Sequence, residues 1–79
     1  MMIRYFAGAA EAAGHEEREI DSAGLTVAQL RERLGAENEK LVKVLAVSAL
    51  LADGVRVDDG ATDLSAVGRL DVLPPFAGG

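Results

Sequence analysis

Seventy-nine residues make one small domain, which buries only about 60–65% of the surface its unfolded chain exposes. Hydrophobic residues are 49% of the chain and charged residues 27%, a globular balance, and thirteen acidic against eight basic residues leave a net charge of −5 that duplex nucleic acid repels. The lack of cysteine and the single histidine exclude disulfides, thiolate zinc sites, a cysteine nucleophile and a histidine metal cluster, so no metal is expected.

Residues 2–6 alternate apolar side chains around Arg4 and predict a strand. Ile3 and Tyr5 face inward and Arg4 and Phe6 outward, because an unpaired buried guanidinium is costly. Residues 7–14 (AGAAEAAG) form a small-residue linker with room for one helical turn. Residues 15–21 predict an edge strand guarded by its charges and anchored by Ile20, with His15 at its end. Thr26 stands three residues before Gln29, the spacing of a capping box, and Val27, Leu30 and Leu34 make one apolar stripe of a helix. Gly35 is expected just past the end of that helix. Residues 36–44 predict a second short helix with a Glu39–Lys43 pair one turn apart.

Residues 46–52 read as an apolar strand, Asp53-Gly54 as a hairpin turn and residues 55–57 as the return strand. Leu64 is expected to plug the core from a single turn, and residues 70–73 form the last strand, closed by Pro74-Pro75. The fold class is therefore α+β: a mixed sheet of four or five strands, one main helix on one face, and the first and last strands side by side and parallel. The domain spans residues 1–75, and residues 76–79 are an extended, flexible tail. Asp53, Asp58, Asp59 and Asp63 miss the calcium-loop spacing and read as solvated turn residues. The longest uncharged run, residues 44–52, falls short of the roughly 20 residues of a membrane span. The N-terminus lacks a basic-then-apolar signal, so a cytoplasmic location without membrane or nucleic-acid partners is expected.

The chemistry concentrates at the other end. From Val72 to Gly79 no side chain is charged, two prolines stiffen the exit from the last strand, and two glycines finish the sequence. At this glycine content that pair is roughly a one-in-a-hundred coincidence. Glycine has no Cβ, so an extended Gly78-Gly79 fits a tunnel too narrow for other residues. Its carboxylate could then reach the α-phosphate of ATP and become an acyl adenylate. Leu73 points outward if Leu70 and Val72 point in, and with Phe6 and Phe76 it forms an apolar docking patch; otherwise it covers the core edge.

The run Leu70-Asp71-Val72-Leu73-Pro74-Pro75-Phe76-Ala77-Gly78-Gly79 resembles the C-terminus of the MoaD/ThiS family of ubiquitin-like sulfur carriers. The order of elements and the opening Ile3-Arg4-Tyr5-Phe6-Ala7 resemble the family's β-grasp fold. Pro-Pro ahead of Gly-Gly is similar to the small subunit of molybdopterin synthase rather than to the thiazole-synthesis carrier. Family members carry a Gly-Asp turn before the last strand; here Gly68 is followed by Arg69, which leaves that turn open.

The resemblance implies that an E1-like (MoeB-like) enzyme uses ATP to adenylate the carboxylate of Gly79. A sulfur donor such as a cysteine desulfurase or rhodanese then converts the adenylate to a thiocarboxylate. The loaded tail enters the large (MoaE-like) subunit and gives its sulfur to cyclic pyranopterin monophosphate in molybdenum cofactor biosynthesis. Gly79 with Gly78 would be the reacting end, and Phe6, Leu73, Pro75, Phe76 and Ala77 the partner-binding residues. No cofactor would be held stably by the chain. It would be the sulfur-donating subunit of a sulfurtransferase and not a catalyst alone. Two other readings stay open: a sulfur carrier for another pathway (thiazole, cysteine or another thio-metabolite), and a ubiquitin-like interaction module or protein tag.

Overall fold

The computed structural model describes residues 1–75; Phe76, Ala77, Gly78 and Gly79, and the roles expected of them, lie outside the described residues. Strand β1 (Met2–Tyr5) follows the alternation around Arg4, with Ile3 and Tyr5 buried. The small-residue segment forms a longer helix than the single turn expected, α1 (Gly8–Ala13), which buries Ala9 and ends at Gly14 in the left-handed conformation, φ 82°. The charged edge strand β2 (Glu17–Glu19) pairs antiparallel with β1, and Ile20 is buried beside it.

Helix α2 (Val27–Glu37) opens on the capping box: the Gln29 N–H donates to the Thr26 hydroxyl, and the Thr26 N–H donates to Gln29 Oε1. Val27, Leu30 and Leu34 are buried, as their spacing predicts. Gly35 does not end the helix, which continues to Glu37. Its role is closeness, because a Cβ there would meet Val42 Cγ2 of the next helix at 2.9 Å. That helix, α3 (Glu39–Val47), is N-capped by Asn38, whose side chain accepts from the Lys40 N–H. It takes in Ala46 and Val47, which the sequence reading assigned to a strand. Leu41 and Leu45 extend the buried stripe, and β3 is confined to Ala49–Ala52. Periodicity alone cannot place a helix-to-strand boundary inside a continuous apolar run.

The turn Asp53-Gly54 has positive φ at both residues, 47° and 85°, the geometry of a tight hairpin, and leads into β4 (Val55–Arg56). Leu64 is fully buried beneath its turn. Strand β5 (Arg69–Leu73) lies parallel to β1 and antiparallel to β3, in the sheet order β2-β1-β5-β3-β4. One sheet face, with Ile3, Tyr5, Leu50, Leu70 and Val72, joins the helices in a single core. Among the described residues no helix is long and apolar enough to cross a membrane.

The turn before β5 is settled by a carboxylate. Asp53 accepts from the N–H groups of Gly68 (3.1 Å) and Arg69 (2.9 Å), tying the hairpin to the start of the last strand. Those bonds hold its carboxyl below the usual aspartate range. The Ser65 side chain and N–H do the same for Asp63, and the Arg18 guanidinium for Glu37. Depressed folded values mean stability that is present above the unfolded values, about 3.9–4.3, and lost as pH falls through the folded ones. The melting temperature is therefore expected to begin falling at about pH 5 and to go on falling until pH has passed below the lowered folded values. Asp53→Asn, which tolerates the same turn, should lower the melting temperature at neutral pH and flatten the acid limb. Thermal melts across pH check this.

Candidate functional site

Strand β5 is the centre of the sheet, bonded on both sides, with Leu70 and Val72 fully buried. It is thus a firm base for whatever follows it. Pairing with β1 extends one residue beyond the strand, because the Phe6 N–H donates to the Val72 carbonyl at 3.2 Å. Tyr5 is the register partner of Val72, so Phe6 reaches the level of Leu73, and Leu73 in turn faces Ala49 of β3. Phe6, Leu73 and Ala49 are all half-buried. They form an apolar row at the end of the sheet where Pro74 and exposed Pro75 leave it. The structure therefore sets Phe6 beside Leu73, from opposite ends of the described residues, with Pro75 two residues past Leu73.

Behind the prolines lies a groove of about 460 Å³ between the last turn of α3 and the end of β5, walled by Arg31, Val47, Arg56, Leu73, Pro74 and Pro75. Arg31 donates to the Leu45 carbonyl at 2.8 Å and so closes the C-terminal end of α3, while Val47 stays 62% exposed. Sequence reasoning did not find this groove, because it placed Val47 in a strand.

It also passed over Asp71. The open face of the sheet carries, in register, Glu17, Arg4, Asp71, Leu51 and Arg56. Alternation puts Asp71 on that open face, yet it is only 8% exposed. Its Oδ1 lies 3.3 Å from Arg69 Nε without the alignment of a hydrogen bond, and among the described residues it has no hydrogen-bond donor. Arg4 sits over the Phe6 ring, 5.2 Å from its centre. No local signal announces this cluster, since it depends on which strands become neighbours.

The ThiS family model matches residues 3–79. A solved structure from Pyrococcus furiosus, described as molybdopterin converting factor subunit 1, matches with a TM-score of 0.81 at 25% identity, over 95% of this chain and 95% of that one. The solution structure of the Haloferax volcanii HVO 2177 protein matches with a TM-score of 0.71 at 28% identity, over 99% of this chain and 84% of that one. SAMP1 from Haloferax volcanii shares the fold, with a TM-score of 0.73 at 24% identity over 100% and 98% of the two chains. No curated protein matches the chain.

Proposed function

The chain belongs to the ThiS family, and we propose that it serves as the small, sulfur-carrying subunit of a molybdopterin synthase. A carboxylate oxygen of Gly79 attacks the α-phosphorus of ATP on an E1-like (MoeB-like) enzyme, and pyrophosphate leaves. The terminal sulfur of a persulfide on a cysteine desulfurase or rhodanese attacks the acyl carbon, and AMP leaves. A thiol then reduces the resulting acyl disulfide, which releases the thiocarboxylate and leaves the sulfur donor's cysteine in a disulfide with that thiol. The thiocarboxylate enters a MoaE-like large subunit, where its sulfur bonds to a carbon of the cyclic pterin with loss of that carbon's oxygen substituent. Water then cleaves the acyl–sulfur bond and restores the Gly79 carboxylate. Gly78 and Gly79 thread the narrow sites, and Phe6, Leu73, Pro75, Phe76 and Ala77 dock.

The observation that carries this reading is the uncharged run from Leu73 to Gly79, which issues from the central strand beside the Phe6–Leu73 row. Two further features support it. The chain has no cysteine, so sulfur has no side chain to ride on. The likeness to the molybdopterin converting factor subunit from Pyrococcus furiosus spans nearly the whole of both chains.

The test is the intact mass of the full chain after incubation with ATP, the activating enzyme and the sulfur donor. A gain of about 16 Da, oxygen exchanged for sulfur, is expected. The loaded chain should then yield molybdopterin with the large subunit. An unchanged mass removes the sulfur-carrier reading, and isopeptide adducts would point to a tag. Loading without molybdopterin synthesis assigns the carrier to another pathway.

A further inference from the structure

We propose that the open face of the sheet docks a carboxylate set among apolar side chains on a partner protein, read by Arg4 and Arg69, with Asp71 as the residue that positions Arg69. The inference rests on the reading of this chain as a carrier that must dock on other proteins. The chain as a whole is acidic, with net charge −5, yet three of its eight basic residues, Arg4, Arg56 and Arg69, share this one face. Negative charge on the face stays at the margins. Glu17 and Glu19 lie on edge strand β2, and Asp58 pairs with Arg56 at 3.0 Å.

The centre holds Asp71, but its carboxylate is covered, 11% exposed at the side chain against 48% for Arg69. A partner approaching the centre therefore meets guanidinium and not carboxylate. Arg69 turns Nε toward Asp71, which leaves its two Nη groups for the forked pairing that a carboxylate accepts. Arg4 sits over the Phe6 ring, 5.2 Å from its centre, beside the apolar row. Phe6, Leu51 and Leu73, all half-buried, supply the apolar surround.

Asp71 itself is a poor choice for folding. Aspartate is disfavoured in strands, most of all in a central one, and a covered carboxylate oxygen without a hydrogen-bond donor opposes stability. Leucine would suit the same position better. The position of a costly carboxylate 3.3 Å from Arg69 Nε, in register with Arg4, points to the orientation of Arg69 as its role.

The experiment measures two things on the full chain: the melting temperature, and the affinity for the large subunit and for the activating enzyme at low and high salt. Asp71→Leu should melt at the same temperature as the unchanged chain or higher. It should bind at least one of the two proteins about tenfold more weakly and with a shallower salt dependence. Arg69→Gln should show the same loss, and Arg69→Lys should not restore it, because an ammonium lacks the fork. A lower melting temperature for Asp71→Leu, or failure to fold, makes Asp71 a folding residue and overturns the proposal. So does unchanged affinity for both proteins, or an unchanged salt slope. If the unmodified chain binds neither protein, the carrier reading fails and this inference with it; if it binds and the variants bind equally, the inference alone fails.

Discussion

A chain lacking Gly79 is expected to fold normally and to fail in adenylate formation. In the proposed reaction the activated carbon is the terminal carbonyl of Gly79, since the chain has no cysteine to carry sulfur as a persulfide. Removing one residue withdraws that carbon by about 3.3–3.6 Å. A misplacement of even about 1 Å can cost 100-fold in rate, so the loss should be essentially complete. One residue added after Gly79 should be equally damaging, because it buries the carbonyl in an amide. Gly78→Val should come close, since a branched side chain has no room in a tunnel fitted to glycine. The fold should be untouched in all three, because among the described residues the buried core runs from Ile3 to Val72. ATP–pyrophosphate exchange with the activating enzyme reads the chemistry, and circular dichroism reads the fold. Normal exchange by the shortened chain would falsify the carrier mechanism.

The second large effect is on stability. Leu30→Ala is expected to cost about 2–5 kcal/mol, a large part of the 5–15 kcal/mol typical of a domain. Leu30 is 1% exposed and sits mid-way along α2, between Val27 and Leu34 on the stripe that meets the sheet. Truncation there removes buried methyl groups and leaves a cavity walled by β-strands, which relax little. Urea unfolding should show a lower midpoint at unchanged slope. A cost under about 1 kcal/mol would mean that the site collapses around the smaller side chain, and that α2 is held less firmly than its burial suggests.

Local features of the sequence were sufficient for the elements whose energetics are local. Alternation around Arg4 determined β1 and its inward residues, the Thr26–Gln29 box determined the start of α2, and Asp53-Gly54 determined the hairpin. Each rests on contacts within a few residues, so composition and spacing carry the information. The uncharged tail is equally a property of the sequence, and the expected chemistry was legible there before any fold was considered.

What the tertiary structure decided are the features that depend on which distant segments become neighbours. Gly35 reads locally as a helix end, but the approach of Val42 makes it an interior residue at a close crossing. Ala46 and Val47 are as apolar as the strand that follows; α3 keeps them because the helix continues to bury Leu41 and Leu45 against the core. The parallel pairing of β1 with β5 and the Phe6–Leu73 patch were expected from the sequence; the register that sets Arg4 beside Asp71 across more than sixty residues of chain was not. Strand register is fixed by the sum of side-chain burial over the whole sheet, an energy to which no single segment holds the key. The uncharged tail and the Phe6–Leu73 patch were therefore visible in the sequence, and the register that sets Arg4 beside Asp71 was not.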